Sequence, residues 1–454
     1  MLRIDPARPA RATATTLALS LSLAACAPTA RVAPPAAAPE PAAAAPAAPA
    51  AGESARGAYF TGAYPNLFVE LLGKKPAEVQ ARVRAAYERL FEGDEDERVY
   101  YPVGGDMAYI LDVGSGDIRS EGMSYGMMIA VQLDRREVFD RLWRFTTKYM
   151  RHERGPFKGY FAWHVRREKD PKGPLGEKIS DNPASDGEAW FATALFFAAH
   201  RWGTDGGIDY RAEAQAILDV MLHKHAQQDR GDVTDMFDRE TKLIVFVPQG
   251  PHARHTDPSY QVPHYLELWA RWGKRDRAFW CAAAAASRAH LRAAAHPKTG
   301  LSPDYSTFDG RPYDAGPGNP GHADFRYDAF RVASNVAVDH LWFRKDPWQV
   351  AQSDRLLAFF DAQGPNYSAL YQVDGKPIAS HPRGVGLAAM NAAAALAARD
   401  PELREQFVEE LWRMSAPMGK WRYYDGMLYL LGMLQVSGNF RVYHPAAGPV
   451  AACD

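Results

Sequence analysis

The sequence predicts an all-α fold, a closed toroid of helical hairpins, on three observations. From about Gly57 to the C-terminus, segments with the helical apolar period recur, punctuated by Gly, Pro and Asp. They fall into sequential pairs without a repeating motif, whereas an open solenoid shows its period in the sequence. Strand-like alternation is scarce; Lys242 to Val247 is the clearest stretch and is expected to form a short hairpin arm.

In chain order the expected helices cover 75–92, 120–133, 135–150, 187–202, 211–225, 258–272, 274–295, 328–343, 347–362, 383–399, 401–414 and 421–437. Twelve such helices make six hairpins, and when the ring closes the inner helices converge on a cleft. The segment 299–327 is long and rich in Gly, Pro and Asp, and a loop of that length in a compact domain is usually functional.

The N-terminal residues lie outside this pattern. Arg3, Arg8 and Arg11 precede an apolar run from Leu17 to Ala25, too short to span a bilayer, which reads as a secretory signal. Leu23-Ala24-Ala25-Cys26 resembles a bacterial lipobox, which makes Cys26 the expected lipidation site; cleavage without lipidation is the alternative. Residues 1–26 are therefore read as a lipoprotein-type signal, 27–56 as an Ala/Pro-rich solvated tether and 57–454 as the folded helical domain. The expected location is the cell envelope, periplasm or outer membrane, or simple secretion. Any membrane contact would come through the lipid anchor alone. Of the other cysteines, Cys281 sits in an Ala-rich helix and Cys453 near the end; they can pair in an oxidising compartment, but nothing in the sequence requires it.

The 53 basic and 54 acidic side chains leave a net charge of −1, which offers no electrostatic case for nucleic acid. No CxxC or spaced His/Cys set marks a metal, and no cofactor is implied. The 11 Trp exceed what one cleft needs, so most belong to the core, with a few suited to the flat faces of sugar rings.

Four acidic positions open predicted helices beside small or aromatic residues: Ser120-Glu121-Gly122-Met123-Ser124-Tyr125-Gly126, Ala184-Ser185-Asp186-Gly187-Glu188, Asp257-Pro258-Ser259-Tyr260 and Tyr327-Asp328-Ala329-Phe330-Arg331. Singly, each reads as an ordinary cap that complements the helix dipole. Together they suggest a site. Gly122 and Gly126 leave one helix face bare, where a ligand can approach closely, and Arg331 lies three residues after Asp328 on the same face.

These four ordered motifs resemble the signature of glycoside hydrolase family 8, over about residues 58–440. The resemblance implies an (α/α)6 barrel, with Glu121 as general acid and Asp328 as general base. It further implies that Asp186 holds the distorted sugar ring and that Tyr260 lies beside the attacking water. An inverting reaction of this kind places its two carboxyls roughly 6.5–9.5 Å apart. Glu121 must stay protonated although a helix N-terminus favours the anion, so burial against Tyr125 and the charge of Asp186 are expected to raise its pKa. Arg331 is expected to fix Asp328 or another carboxylate.

Further segments resemble the xylan-active group that removes xylose from the reducing end of xylooligosaccharides: Met123 to Met128, Gly159-Tyr160-Phe161-Ala162-Trp163, Thr241 to Ile244 and His264 to Leu268. In that group a His-Pro loop closes one end of the cleft, which makes Ser380-His381-Pro382-Arg383 the expected block and His381 a candidate for the reducing-end hydroxyl. Arg383 and Gly384 after His-Pro depart from the pattern and put the strictness of that block in doubt. Trp163 and Trp190 are the stacking candidates, Trp190 equally a core residue. A monomer is expected. The alternatives are an endo-acting glucanase or xylanase of the same family, an inactive lipid-anchored glycan-binding protein, and a polysaccharide lyase. The paired acids fit hydrolysis better than the last two.

Overall fold

The computed structural model describes residues 56–316, 320–378, 381–450 and 452–453. The signal segment and Cys26, and the tether apart from Arg56, lie outside the described residues.

Two short helices, α1 (Ala58–Thr61) and α2 (Leu67–Glu70), lead into twelve longer ones. These are α3 (Pro76–Glu92), α4 (Ser120–Gln132), α5 (Arg136–Phe145), α6 (Ser185–Trp202), α7 (Tyr210–His223), α8 (Pro263–Trp272), α9 (Arg277–Ala294), α10 (Phe330–Phe343), α11 (Trp348–Ala362), α12 (Val385–Ala394), α13 (Pro401–Arg413) and α14 (Tyr424–Val436). Each matches an expected segment. Several expected ends that overrun them are completed by tighter or wider turns, a π-turn at Thr146–Met150 and 3₁₀ turns at Lys224–Ala226, Pro258–Tyr260, Tyr327–Ala329 and Gly419–Arg422, whereas the expected 383–399 shortens to Val385–Ala394 and 274–295 starts at Arg277.

The even-numbered helices α4, α6, α8, α10, α12 and α14 pack on one another in sequence, and α14 returns to α4, so the ring closes. Each odd-numbered helix lies outside: α5 on α4, α7 on α6, α9 on α8, α11 on α10, α13 on α12, and α3 on α14. The sequence explains the sorting. Inner helices such as α4 and α12 are apolar or small all round and nearly every residue is buried, as a helix enclosed on all sides requires. Outer helices such as α5 and α13 carry charges on one face and bury the other. This is the (α/α)6 barrel. Among the described residues no helix is long and apolar enough to cross a membrane.

The strand expectation needs correction. Lys242 to Val247 forms no strand: Ile244 makes one isolated bridge to Phe237 around a turn in which Lys242 has φ +62°. Phe246 and Val247 then turn away to line the cleft. The strands lie elsewhere. β1 (Tyr100–Val103) and β2 (Met107–Ile110) form a hairpin around Gly104 and Gly105, both with positive φ. β3 (Asp117–Arg119), β4 (His164–Arg166) and β5 (Lys178–Ser180) form a three-stranded antiparallel sheet. That sheet delivers the chain into α4 and supports Trp163.

Candidate active site

The first turns of the inner helices α4 and α6, the 3₁₀ turns before α8 and α10, and the start of α14 meet at one end of the barrel, around a cleft of about 950 Å³. Glu121, Asp186, Tyr260 and Asp328 all line it, as do Trp163, Tyr305, Tyr327, Trp421, Tyr423 and Tyr424.

Arg331 lies beneath the cleft floor and organises these groups. Its Nη1 donates to Glu121 Oε2 (3.0 Å), Asp186 Oδ2 (3.0 Å) and the Tyr125 hydroxyl oxygen (2.6 Å). Its Nη2 donates to Ser259 Oγ (2.8 Å) and faces Asp328 Oδ1 at 3.3 Å and Asp257 Oδ2 at 3.7 Å. One planar cation is thus shared among four carboxylates, which only the fixed fork of a guanidinium achieves. Glu121 and Asp328 occupy different amino groups of that fork and are held apart.

The protonation pattern follows from burial. Desolvation pushes Glu121 up to about 7, against Arg331 and with help from the negative Asp328 and Asp186. Burial likewise raises Asp186 to about 6, against Arg331. The expected cause for Glu121, burial plus Asp186, is present, with Asp328 as an additional anion. The Tyr423 hydroxyl donates to Glu121 Oε1 at 2.9 Å, and Tyr424 reaches Asp328 Oδ1 at 3.4 Å and the Tyr327 carbonyl at 2.7 Å.

The sequence-derived candidates divide into cleft wall and support. Trp163 forms wall, its indole stacked on His164 at 3.6 Å. Tyr260 forms wall, with the Arg331 guanidinium 5.6 Å from its ring centre. Tyr125 and Arg331 are buried and are not among the residues that line the cleft; Arg331 holds the carboxylates, and the Tyr125 hydroxyl accepts from Arg331. Trp190 is core, edge-on to Tyr125 and Tyr265. The bare face of Gly122 and Gly126 does not meet a ligand. A Cβ on Gly122 would lie 2.5 Å from the Tyr423 ring, and one on Gly126 would lie 2.9 Å from Ile110. The glycines admit packing partners, not substrate. His381 is exposed, 3.4 Å from the Ile378 carbonyl, and is not among the residues that line the cleft.

Sequence reasoning missed Tyr423 and Tyr424, Trp421, Tyr305 and Asp304. The last two lie on the long 299–327 segment, whose length was the one available signal. Tyr327 adds a strained backbone, φ +34°, immediately before Asp328. A non-glycine residue there costs of order 1–3 kcal/mol. Asp257, Asp304 and Asp328 bring carboxylate oxygens within 4.8 Å of one another, the one group among the described residues with spacing a hard cation would use. Asp257 and Asp304 are buried, each with one oxygen that makes no hydrogen bond, and burial together with the nearby Asp328 raises both well above the usual carboxylate value. Arg331 lies beside Asp257 and Asp328, and His322 Nδ1 contacts Asp304 Oδ2.

The family model for glycosyl hydrolases family 8 matches residues 112–438. The chain belongs to glycosyl hydrolase family 8. It is 48% identical over 399 residues to a reducing-end xylose-releasing exo-oligoxylanase, Rex8A, of Paenibacillus barcinonensis, covering 86% of this chain and 99% of that protein. It is 42% identical to a reducing end xylose-releasing exo-oligoxylanase of Halalkalibacterium halodurans, covering 87% and 98%. The solved structure of Rex8A complexed with xylose superimposes with a TM-score of 0.80 at 47% identity, over 86% of this chain and all of that one. As a family 8 member the protein is a glycoside hydrolase.

Proposed function

We propose that this hydrolase cleaves β-1,4-xylosidic bonds and releases xylose from the reducing end of xylooligosaccharides, in a single inverting displacement. The observation that carries the reading is that Glu121 and Asp328 face one cleft while Arg331 holds them on separate amino groups. Glu121, kept protonated by burial, gives its proton to the leaving oxygen. Asp328 takes a proton from water, which attacks the anomeric carbon from the opposite face. Asp186 binds the sugar at the cleavage point, Tyr260 lies beside the water, and Trp163 stacks on a ring. The similarity to exo-oligoxylanases over nearly their whole length supports the substrate and the exo mode.

The exposed position of His381, outside the cleft lining, favours a second reading, an endo-acting enzyme with an open cleft. Reducing-end-labelled xylohexaose separates the two. Early labelled xylose with unlabelled xylopentaose supports exo cleavage; mid-chain products overturn it.

The reading extends to an exported, lipid-anchored monomer, with Cys26 lipidated and residues 27–56 as tether. The basic, apolar and small-residue order of 1–26 supports it. So does the Cys281–Cys453 disulfide, which suits an oxidising compartment. A Cys26→Ala variant should move from the membrane to the soluble fraction; unchanged membrane partition would refute the anchor.

A further inference from the structure

Glu188 is a buried acid that the reaction does not use. It stands two residues after Asp186 in the first turn of α6, about 200° further round the helix. Asp186 reaches Arg331, whereas Glu188 turns to the segment that carries Trp163. Its side chain is fully buried, its Oε1 accepts the Phe161 N–H at 3.0 Å, and its Oε2 has no hydrogen-bond partner.

That single bond lies at the head of a chain of contacts that ends at the general acid. Phe161 is bridged to Arg151, and Ala162 donates to the Met150 carbonyl at 2.9 Å. Trp163 donates to the Asn182 carbonyl at 3.0 Å, and its own carbonyl accepts from Ser120 N at 2.9 Å. Ser120 is the first residue of α4 and Glu121 the second. The starts of α4 and α6 also touch directly, since a Cβ on Gly187 would lie 2.7 Å from Ser120 Oγ. The Phe161 ring packs in one cluster with Trp143 and Phe191, so the segment is anchored by ring packing as well as by Glu188.

We propose that Glu188 is a positioning residue that, through the backbone of Phe161 to Trp163, sets both the Trp163 wall of the cleft and the start of the helix carrying Glu121. It works as a hydrogen-bonding acid rather than as a charge. Burial pushes its carboxyl to about 8, against the Phe161 N–H, so it is neutral at neutral pH. An amide of the same shape keeps the acceptor, whereas truncation leaves a buried N–H unpaired, the costly arrangement.

The inference depends on the proposed function only for its choice of substrate. The assay first establishes which xylo- or gluco-oligosaccharide the wild type cleaves, and failure on xylooligosaccharides alone counts against that function, not against Glu188. On the cleaved substrate, E188Q should keep kcat and KM within about threefold, with the pH profile unmoved. E188A should raise KM and lower kcat, each by about tenfold, the size of one lost hydrogen bond to a buried group. Combined with Trp163→Ala, E188A should add less than its separate effect. An E188Q as impaired as E188A would overturn the proposal by showing that the charge is needed. Wild-type kinetics in folded E188A would overturn it as well. Should E188A not fold, E188D withdraws the carboxyl by one methylene and takes its place: impaired turnover supports the role, and wild-type kinetics refute it.

Discussion

The cleft chemistry rests on one acid that keeps its proton and one cation that keeps four carboxylates in place. Glu121 is held up to about 7 by burial. Because the proposed mechanism uses it protonated, kcat/KM should fall as pH rises through about 7, which a pH-rate profile on an oligosaccharide substrate measures. Glu121→Gln removes the proposed proton donor and should lower kcat by about 10²–10⁴-fold. That alkaline limb should vanish from the residual rate, while sugar affinity measured by calorimetry is retained. A glycan-binding protein without catalysis would show no rate to lose. Arg331→Lys keeps the charge but not the fork that reaches Glu121, Asp186, Ser259 and Asp328 together. Loss of at least about 100-fold in kcat is expected, on the scale of removing one preorganised donor, and near-normal turnover would show that charge alone suffices.

Inner helices can meet at the cleft only where their first turns are slim. Gly122 gives up its side-chain space to the Tyr423 ring, and Tyr423 in turn holds Glu121. Gly122→Ala therefore pushes α14 away from α4. It should cost about 1–3 kcal/mol of stability by overpacking and reduce turnover through the displaced Tyr423 hydroxyl, as denaturant titration and kinetics on the same variant would show. This contact also marks the limit of what the sequence made legible. All twelve barrel helices could be read, because each is long and strongly periodic. The acids Glu121, Asp186 and Asp328 could be read because each opens a helix in an unusual setting of small and aromatic residues. Tyr423 and Tyr424 could not: they lie some three hundred and one hundred residues from the carboxylates they hold, inside a segment whose pattern reports only helix. The short strands also escaped, since three- and four-residue pairs such as Asp117–Arg119 with His164–Arg166 are set by tertiary contacts rather than by alternation.

Across the whole molecule, stability is tied to pH and to the closure of the C-terminal segment. Glu121, Asp186, Glu188 and Asp425 are all raised by burial, to between about 6 and about 8. Each contributes stability that is complete below the unfolded carboxylate range and is lost as pH rises through its folded value. Asp117, hydrogen-bonded to His164 and Arg119, and Asp339, paired with Arg288, are lowered and oppose this only at acidic pH. Below the ordinary imidazole range His200, His255, His264, His290 and His340, all lowered by burial, oppose the trend, so thermal unfolding should move to lower temperature from pH 7 to pH 9. The last described residues lie against the C-terminal ends of α8 and α10, where Arg271 donates to the carbonyls of Val450 (2.9 Å) and Ala452 (3.2 Å) and Lys345 to that of Cys453. Both cations also pair with the buried Glu267, so the tail and the α8–α9 wall share one charged network. The Cys281–Cys453 disulfide locks that arrangement across a sequence separation of 172 residues. Loop-closure entropy for a span of this size sets an upper value of about 5 kcal/mol for its contribution. The network already orders the tail without the bond, so the realised share should be smaller. Cys281→Ser should lower the unfolding temperature, and the wild type in reductant should fall to the same value. Because the disulfide joins α9 to the tail and none of its contacts reaches the cleft, kcat and KM at a temperature where both proteins are folded should be unchanged. A variant that loses activity while folded would show that the tail network is coupled to the cleft after all.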